Sequence, residues 1–492
     1  MRFTPAATSG PVPPDGTRTP DATPGDDAGT LDDPRVAAFL DTFSSLLEAV
    51  TQQSARRQRA GSGPSVADAL REHLGTDPRA LAVVTETVSA LRAVDADVAV
   101  EVVVARHGGG RLLGVGGGEQ RMHSSLSEIV EHSGTWGHFP VGAVDYARAA
   151  TGPTSERRTV AFGLHLFTYA GTPVAMLQRA ESPRYGQGGA LEVLCADEDV
   201  ALRLLADLRT AMVEHSVLRG QVVTFTTSEY GPASAGMTFL PRDRVPAADV
   251  VLPHGTLDRI ERQVVGVARH RAALRSTGQH LKRGVLLYGP PGTGKTHTVR
   301  HLVGESPGTT VILLAGRSLG LVRLAAETAR AMQPALVVLE DCDLIAEDRS
   351  FHDGPQPLLF EVLDAMDGLD RDADVAFVLT TNRADLLERA LAQRPGRVDL
   401  AVEIPLPDDS ARRRLFELYR ADLSFSAGAL DDVTARTGGV TASFVKEAVR
   451  RAVLRAAEAG HVVGDDDLRS AVDEMTGDAE RVTRSLLGSA PE

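Results

Sequence analysis

The sequence predicts an α/β protein with a separate α+β domain at its N-terminus and a helical lid at its C-terminus. In the first half, short apolar runs and runs with a period of two indicate strands of a mostly antiparallel sheet. From about residue 250, continuous Val/Leu strands alternate with helical segments, which is the pattern of a parallel sheet covered on both faces. Beyond Pro407 the pattern is wholly helical, and these segments form the predicted lid.

The length of the chain, 492 residues, is enough for two or three domains with cores of their own. A run rich in Pro, Gly and Ala, YGPASAGMTFLPRDRVPAAD, indicates a linker between the two folded domains. The predicted divisions are a disordered tail over residues 1–34, an α+β N-terminal domain over 35–235, a linker over 236–250, an α/β core over 251–407, a helical lid over 408–478 and a tail over 479–492.

Apolar spacing predicts the elements of the N-terminal domain. Intervals of three and four residues predict a helix near its start, with one face formed by Val36, Phe39, Leu40, Phe43, Leu46, Leu47 and Val50. Two further helices are predicted over SVADALREHL and DPRALAVVTETVSALRAV, with Ser65 and Asp77 as their N-caps. A long amphipathic helix is predicted over EDVALRLLADLRTAMVEHS, and strands over DVAVEVVVAR, TVAFGLHLFTY, TPVAMLQRA, ALEVLC and GQVVTFT.

Net charge and cysteine content disfavour several classes of protein. The balance of 52 Lys and Arg against 66 Asp and Glu gives a net charge of −14, which would repel nucleic acid rather than collect it. The two cysteines, Cys195 and Cys342, are too few for a disulfide framework. The N-terminus lacks the features of a secretory signal, and the chain lacks the stretch of about 18 uncharged apolar residues that a membrane span requires. We therefore expect a cytoplasmic protein.

The segment GVLLYGPPGTGKTHTVRHL predicts a site for the phosphates of a nucleotide. It fits the phosphate-loop pattern G-x-x-x-x-G-K-[ST] between a predicted strand and a predicted helix, which is the context that the motif requires. Backbone N–H groups of such a loop surround the β-phosphate, and the following helix directs its positive end at the same oxygens. Lys295 is expected to reach the β- and γ-phosphates, and the Thr296 hydroxyl to bind Mg²⁺. The predicted loop consists of Gly289, Pro290, Pro291, Gly292, Thr293, Gly294, Lys295 and Thr296.

Acidic and amide side chains are predicted across from this loop. Glu340 and Asp341 leave the end of the apolar strand in ALVVLEDCD, where side chains of a parallel sheet converge on a ligand. Mg²⁺ and an attacking water both need carboxylates, and this strand end supplies them. Asn382 ends the neighbouring strand VAFVLTTN, where its amide could orient that water. The competing interpretation is a solvated turn for Glu340 and Asp341, and an ordinary turn residue for Asn382.

Together, the motifs GPPGTGKT, LEDCD, TTN and RPGRVD resemble the AAA family of ATPases over roughly residues 250–475. The resemblance implies a Rossmann-like core with a helical lid, ATP and Mg²⁺ as ligands, and assembly into a ring, usually a hexamer. It also implies that Arg394 and Arg397 are arginine fingers, which reach the nucleotide of a neighbouring subunit and help to catalyse hydrolysis there. The segment VVLPHGTLDRIERQV is similar to the part of the family that folds over the adenine, near Leu252.

Two departures from the family pattern bear on function. The order of Glu340 and Asp341 reverses the usual Asp-Glu pair of the Walker B motif, as in some mitochondrial members of the family. The resemblance then implies that Glu340 binds Mg²⁺ together with Thr296 and that Asp341 is the base for the attacking water. Members that thread proteins carry an aromatic residue in a pore loop after the second strand. The corresponding segment here, TTVILLAGRSLGLVRLAAETAR, has no aromatic residue, and Leu319 and Gly320 are its only candidate substitutes. Many related ATPases have an arginine at one position of the lid, whereas the AAA family proper has a small residue there. Ala442 occupies this position and places the lid with the AAA family proper.

Three functions are compatible with such an ATPase: remodelling of a protein partner or complex, a nucleotide-controlled switch or scaffold that threads nothing, and a nucleic-acid motor. The net charge and the aromatic content of 4% disfavour the motor. Absence of an HExxH motif disfavours a protease-linked role. Remodelling is slightly favoured by family precedent, and the N-terminal domain is expected to select the protein partner.

Overall fold

The structure of the protein is a computed structural model. It describes residues 38, 40–46, 49, 64–132, 139–181, 188–228, 231–343, 372–383 and 398–477. The chain divides into two units, Met1–Gly63 and Pro64–Glu492. In the first unit, the described residues 38, 40–46 and 49 are helical, as the apolar spacing predicts.

The N-terminal domain contains a sheet of seven antiparallel strands in the order β1-β7-β6-β5-β2-β3, with β4 also paired to β5. The strands are β1 (Val83–Val88), β2 (Gly110–Val115), β3 (Val141–Gly142), β4 (Asp145–Ala150), β5 (Glu156–Tyr169), β6 (Thr172–Arg179) and β7 (Gly189–Cys195). The predicted antiparallel sheet is therefore observed.

Helices cover both faces of this sheet. They are α1 (Val66–Leu74), α2 (Ala93–Arg106), α3 (Leu126–His132) and α4 (Glu198–Glu214). Helices α2 and α4 pack on one face, around Val100, Met176 and Leu204. Helices α1 and α3 pack on the other, around Leu70 and Leu177. The domain therefore has three layers, because successive residues of each strand point to opposite faces.

Two element predictions in this domain are wrong. The run DVAVEVVVAR lies in helix α2 rather than in a strand, because α2 is buried between the sheet and α4, and a buried helix can be as continuously apolar as a buried strand. The run DPRALAVVTETVSALRAV forms a short 3₁₀ turn and then strand β1, instead of a helix. Ser65 caps α1 by accepting a hydrogen bond from the backbone N–H of Asp68, as predicted, whereas Asp77 caps only the 3₁₀ turn.

The second sheet contains seven strands, parallel except for one hairpin, in the order β14-β10-β13-β12-β11-β8-β9. The strands are β8 (Val222–Ser228), β9 (Gly231–Leu240), β10 (Arg283–Tyr288), β11 (Thr310–Ala315), β12 (Ala335–Glu340), β13 (Val375–Thr381) and β14 (Leu400–Glu403). The helices of this region are α5 (Thr256–Glu261), α6 (Val267–Arg269), α7 (Arg271–Ser276), α8 (Lys295–Gly304) and α9 (Val322–Ala331), and a π turn over Arg262–Gly266 joins α5 to α6. Apolar cores on both faces of the sheet confirm the predicted α/β core.

The hairpin β8–β9 belongs to this second sheet, although the predicted boundary at residue 235 assigns β8 to the N-terminal domain. Val222 of β8 pairs in parallel with Val311 of β11, and Phe225 and Phe239 lie in the core that α9 covers. The chain after β9 is also held in place, because the Arg242 guanidinium donates to the backbone carbonyls of Gly220, Val303, Ser306 and Thr309 at 2.7–3.1 Å. The apolar pattern of a sequence predicts that a segment is a strand, but it does not show with which sheet the strand pairs.

A helical lid follows the second sheet, as predicted. It consists of α10 (Asp409–Arg420), α11 (Ala427–Arg436), α12 (Ala442–Ala459) and α13 (Asp465–Thr476). The helices enclose a core around Phe416, Phe444 and Leu468. Among the helices that the structure describes, none has the length and apolar character needed to cross a membrane.

A buried aspartate joins the N-terminal domain to the second sheet. Asp95, at the start of α2, is 1% exposed and accepts hydrogen bonds from Arg92, Ser216 and the backbone N–H of Val217 at 2.7–2.8 Å. Val217 and Leu91 pack against the core of the second sheet. The connection from α4 to β8 is therefore held both to helix α2 of the N-terminal domain and to the core of the second sheet.

We expect Phe225→Ala to destabilise the second sheet by about 3–5 kcal/mol, because it removes a buried aromatic side chain and leaves a cavity. Hydrogen exchange should show faster exchange of β11 amides and unchanged protection of β5 and β6. The matched control is Leu202→Ala, at a side chain of α4 that is 50% exposed. Loss of protection in β5 with β11 unaffected would contradict the placement of the hairpin.

Candidate nucleotide-binding site

The predicted phosphate loop connects β10 to α8 and depends on its glycines. Gly289, Gly292 and Gly294 have φ angles of +145°, +76° and +110°, a region that other residues rarely adopt. A Cβ atom on Gly289 would also lie 2.2 Å from the carbonyl oxygen of Ile404. Gly294 immediately precedes α8, so the loop ends at the positive N-terminus of that helix. The backbone thus has the form that a phosphate site requires.

The side chain of Lys295 is folded onto this loop. It is 5% exposed, and its Nζ donates to the carbonyl oxygens of Gly289 and Pro290 at 2.9 and 2.8 Å. Burial lowers the pKa of Lys295 from its ordinary value, while the nearby carboxylates of Asp341 and Asp343 favour the charged form. The ammonium group therefore lies between the glycine loop and the acidic residues at the ends of the strands.

Glu340 ends β12 and carries an unsatisfied buried oxygen. Its Oε1 is buried and has no hydrogen-bond partner among the described residues. Burial raises the pKa of Glu340 above its ordinary value, and the charge of Asp341 raises it further. A hydrogen bond from the Thr296 hydroxyl lowers the pKa but does not cancel the effect of burial. A buried carboxylate oxygen without a donor is expected where a cation binds, and carboxylate and hydroxyl oxygens are ligands that Mg²⁺ accepts. Glu340 and Thr296 therefore fit a Mg²⁺ site.

Asp341 has a backbone conformation that is unusual for its residue type. Its φ angle is +52°, in the left-handed region, and its N–H donates to Thr380 Oγ1 at 3.0 Å. The next residue, Cys342, donates its N–H to the carbonyl oxygen of Thr380 at 3.0 Å. Hydrogen bonds to β13 thus hold a turn at the end of β12, and such strained turns are frequent at functional sites.

Asn382, which follows β13, is bound to a third acidic residue that the sequence analysis did not select. Asp343 Oδ1 accepts from the Asn382 N–H at 3.0 Å and from Thr381 Oγ1 at 3.1 Å, and its Oδ2 accepts from Asn382 Nδ2 at 3.2 Å. Burial alone would raise the pKa of Asp343, but these hydrogen bonds outweigh it and lower the pKa below its ordinary value. The available signal was the third carboxylate in LEDCD, two residues after Asp341.

The lid contacts the phosphate loop directly. Ser443, in the first turn of α12, donates its N–H to the carbonyl oxygen of Gly292 at 3.1 Å, and Ala442 is the first residue of that helix. The segment predicted to cover the adenine lies between core and lid, because Val251 packs against the lid core and Leu252 against the core of the sheet. Contact of Leu252 with a base stays a prediction.

The remaining predicted residues are Arg394, Arg397 and the two candidates for a pore loop. Arg394 and Arg397 lie outside the described residues. Leu319, a candidate substitute for the pore-loop aromatic, is 0% exposed and packs in the core under α9, so that prediction is wrong. Its chain neighbour Gly320 is exposed but has no side chain with which to grip a polypeptide. Within the described part of the chain, no group of His, Cys, Asp and Glu has the arrangement of a metal site composed of three such residues.

Residues 285–406, which contain the loop, the acidic residues and Asn382, match the family model described as ATPase family associated with various cellular activities (AAA). The chain carries an AAA ATPase domain. This match confirms the family that the sequence motifs indicated.

Curated relatives of the AAA domain include proteases and a proteasome activator. An ATP-dependent zinc metalloprotease FtsH 2 of Sphaerobacter thermophilus is 31% identical over 288 residues, which cover 54% of this chain and 44% of the relative. A proteasome-activating nucleotidase of Methanopyrus kandleri is 33% identical over 213 residues, which cover 40% and 49%. An ATP-dependent zinc metalloprotease FtsH of Mycobacterium tuberculosis is 32% identical over 227 residues, which cover 43% and 30%. The chain thus spans less than half the length of each relative.

We expect Lys295→Ala to weaken ATP binding by at least about tenfold, because charge-assisted hydrogen bonds contribute about 1.5–3 kcal/mol each. Titration calorimetry with Mg²⁺ and ATP measures the change. Arg323→Ala, which removes an exposed cation from α9, is the matched control and should bind ATP as the wild type does. Equal affinity of the Lys295→Ala variant and the wild type would refute the site.

Proposed function

We propose that the protein binds ATP with Mg²⁺ and hydrolyses it at the carboxyl edge of the second sheet. The observation that carries this proposal is the convergence of three features there. They are the glycine loop with its inward Lys295, the buried Glu340 oxygen that has no partner in the described part of the chain, and the turn that holds Asp341. Family membership of residues 285–406 supports the same reaction.

Residues of this edge would bind the triphosphate in defined roles. The loop amides and Lys295 bind the β- and γ-phosphates, and Thr296 and Glu340 hold Mg²⁺. When bound, Mg²⁺ neutralises phosphate charge and fixes the position of the phosphate oxygens. Asp341 accepts the proton of the attacking water, and Asn382 orients that water. Asp341 is one methylene shorter than the glutamate usual at the base position, so it would hold the water differently without preventing hydrolysis.

Hydrolysis is proposed to require a neighbouring copy of the chain. Arg394 and Arg397 match the arginine fingers of the AAA family, and a guanidinium placed beside the γ-phosphate stabilises the charge of the transition state. The finger would then act across a subunit interface, so that the active form is a ring, with a hexamer as the expected size.

The ATPase is proposed to remodel a protein partner or complex in the cytoplasm. Relatives named as ATP-dependent proteases and as a proteasome-activating nucleotidase support a protein rather than a nucleic acid as the partner. The N-terminal domain, which has a core of its own, is the proposed site of partner recognition. Its firm connection to the second sheet through Asp95 would transmit movement of the sheet to that partner.

A nucleotide-controlled switch without threading is the second candidate. Burial of Leu319, and the lack of aromatic residues between β11 and β12, favour it over a threading motor. The two candidates differ in what they require: a switch acts on ATP binding alone, whereas a remodelling enzyme requires turnover. The Asp341→Asn variant loaded with ATP separates the two candidates. It would retain the effect of a switch on a bound partner protein and lose the effect of a remodelling enzyme.

We expect Asp341→Asn to lower kcat by about 10²–10⁴-fold, because the amide cannot accept the proton of the water. ATP affinity should stay close to the wild-type value. Steady-state phosphate release and titration calorimetry measure the two quantities. Glu327→Gln, at an exposed position of α9, is the matched control. Normal turnover would assign the base to another group, with Glu340 the first alternative.

We expect Arg394→Ala to bind ATP normally and to lose at least about 10³-fold in kcat, because an arginine finger contributes that order of rate enhancement. Mixing the variant with Lys295→Ala protein should restore part of the activity, since the second protein supplies the finger to the intact nucleotide site of the first. Phosphate release at several mixing ratios tests this expectation. Absence of rescue at every ratio would contradict fingers shared between subunits.

A further inference from the structure

We propose that Asp343 is a positioning residue that orients the amide of Asn382 toward the attacking water, an inference that rests on the proposed ATPase function. Asp343 follows Glu340 and Asp341 in sequence, but its contacts are with the neighbouring strand β13. Its role therefore differs from the roles proposed for the other two acids.

One carboxylate receives three hydrogen bonds from the end of β13. Asp343 binds the main-chain N–H of Asn382, the side-chain amide of the same residue and the hydroxyl of Thr381, at 3.0–3.2 Å. Strands β12 and β13 are adjacent and parallel, with Leu339 opposite Leu379, so their ends lie side by side. Asn382 is thus held at both its backbone and its side chain.

The charge of Asp343 determines which end of the amide faces it. An ionised carboxylate can only accept hydrogen bonds, so Asn382 must present its NH₂ group to Asp343. The amide oxygen Oδ1 then points away from Asp343 and can accept a hydrogen bond from water. A neutral side chain in place of Asp343 would allow the amide to rotate by about 180°, since both ends of the amide are close in size.

Direct roles for Asp343 fit the geometry less well. Both of its oxygens are occupied by donors of Thr381 and Asn382, whereas Glu340 Oε1 is buried without a partner among the described residues. A metal ligand or a base needs a free oxygen in the site, and Glu340 and Asp341 are the better candidates for those roles. Asp343 therefore acts through Asn382.

The test compares Asp343→Asn with the wild type in phosphate release and in ATP binding. We expect kcat to fall by about 10–100-fold, the usual effect of removing a residue that orients a group in direct contact with the reaction. KM and the Kd for ATP should stay within about threefold of the wild type, because Asp343 does not touch the phosphates. The Asp343→Glu variant should recover part of the lost kcat, because it restores the negative charge. Asp372→Asn, at an exposed aspartate before β13, is the matched control.

Double substitution shows whether Asp343 acts through Asn382. If it does, Asp343→Asn combined with Asn382→Ala should be no slower than Asn382→Ala alone, because the orienting carboxylate has nothing left to orient. Multiplied losses, an unchanged kcat in Asp343→Asn, or a loss confined to ATP affinity would each overturn the proposal. If Asp343→Asn does not fold, as judged by its thermal unfolding, a wild-type kcat in Asn382→Ala still overturns it. A wild-type protein that hydrolyses no ATP would instead refute the proposed function itself.

Discussion

Parallel pairing of β10, β13 and β12 is the constraint on which the site depends. All three strands are buried along their length, and their polar side chains are confined to the strand termini, including the carboxyl ends that lead into the three loops. Because the strands are parallel, these ends lie at one edge, and three loops distant in sequence meet there. The glycine loop, the acidic turn and Asn382 are neighbours for that reason. Hydrogen bonds between the acidic turn and Thr380 fix that turn to the end of β13.

Three acidic residues within four positions have three different environments. Glu340 has a buried oxygen with no donor among the residues that the structure describes, and burial raises its pKa, which fits the cation site proposed for it. Asp341 lies in a strained turn near the charge of Lys295. Asp343 accepts three hydrogen bonds from Thr381 and Asn382, which hold its pKa low despite burial. Differences in burial and hydrogen bonding thus distinguish the residues that we propose as metal ligand, base and positioning group.

The hairpin β8–β9 determines how the N-terminal domain is joined to the ATPase domain. Strand β8 pairs with β11, and β11 pairs with β12, which ends at Glu340. The N-terminal domain is therefore joined to the nucleotide site through paired strands, with Asp95 buried at the joint. Burial raises the pKa of Asp95, whereas Arg92 and Ser216 stabilise its charged form. A movement of the sheet during turnover would reach the N-terminal domain without passing through a flexible linker.

The sequence by itself determined the phosphate loop, the parallel core, the lid and the acidic pair, because each depends on local spacing: glycines before a lysine, continuous apolar runs, helical periods and carboxylates directly after a strand. The tertiary structure decided the contacts between residues that are distant in sequence, which local spacing does not determine. It placed β8 beside β11, converted the run DVAVEVVVAR from a predicted strand into helix α2, buried Leu319, and brought Asp343 against Asn382. These outcomes depend on which distant surfaces are available for burial and hydrogen bonding, and only the folded chain supplies them.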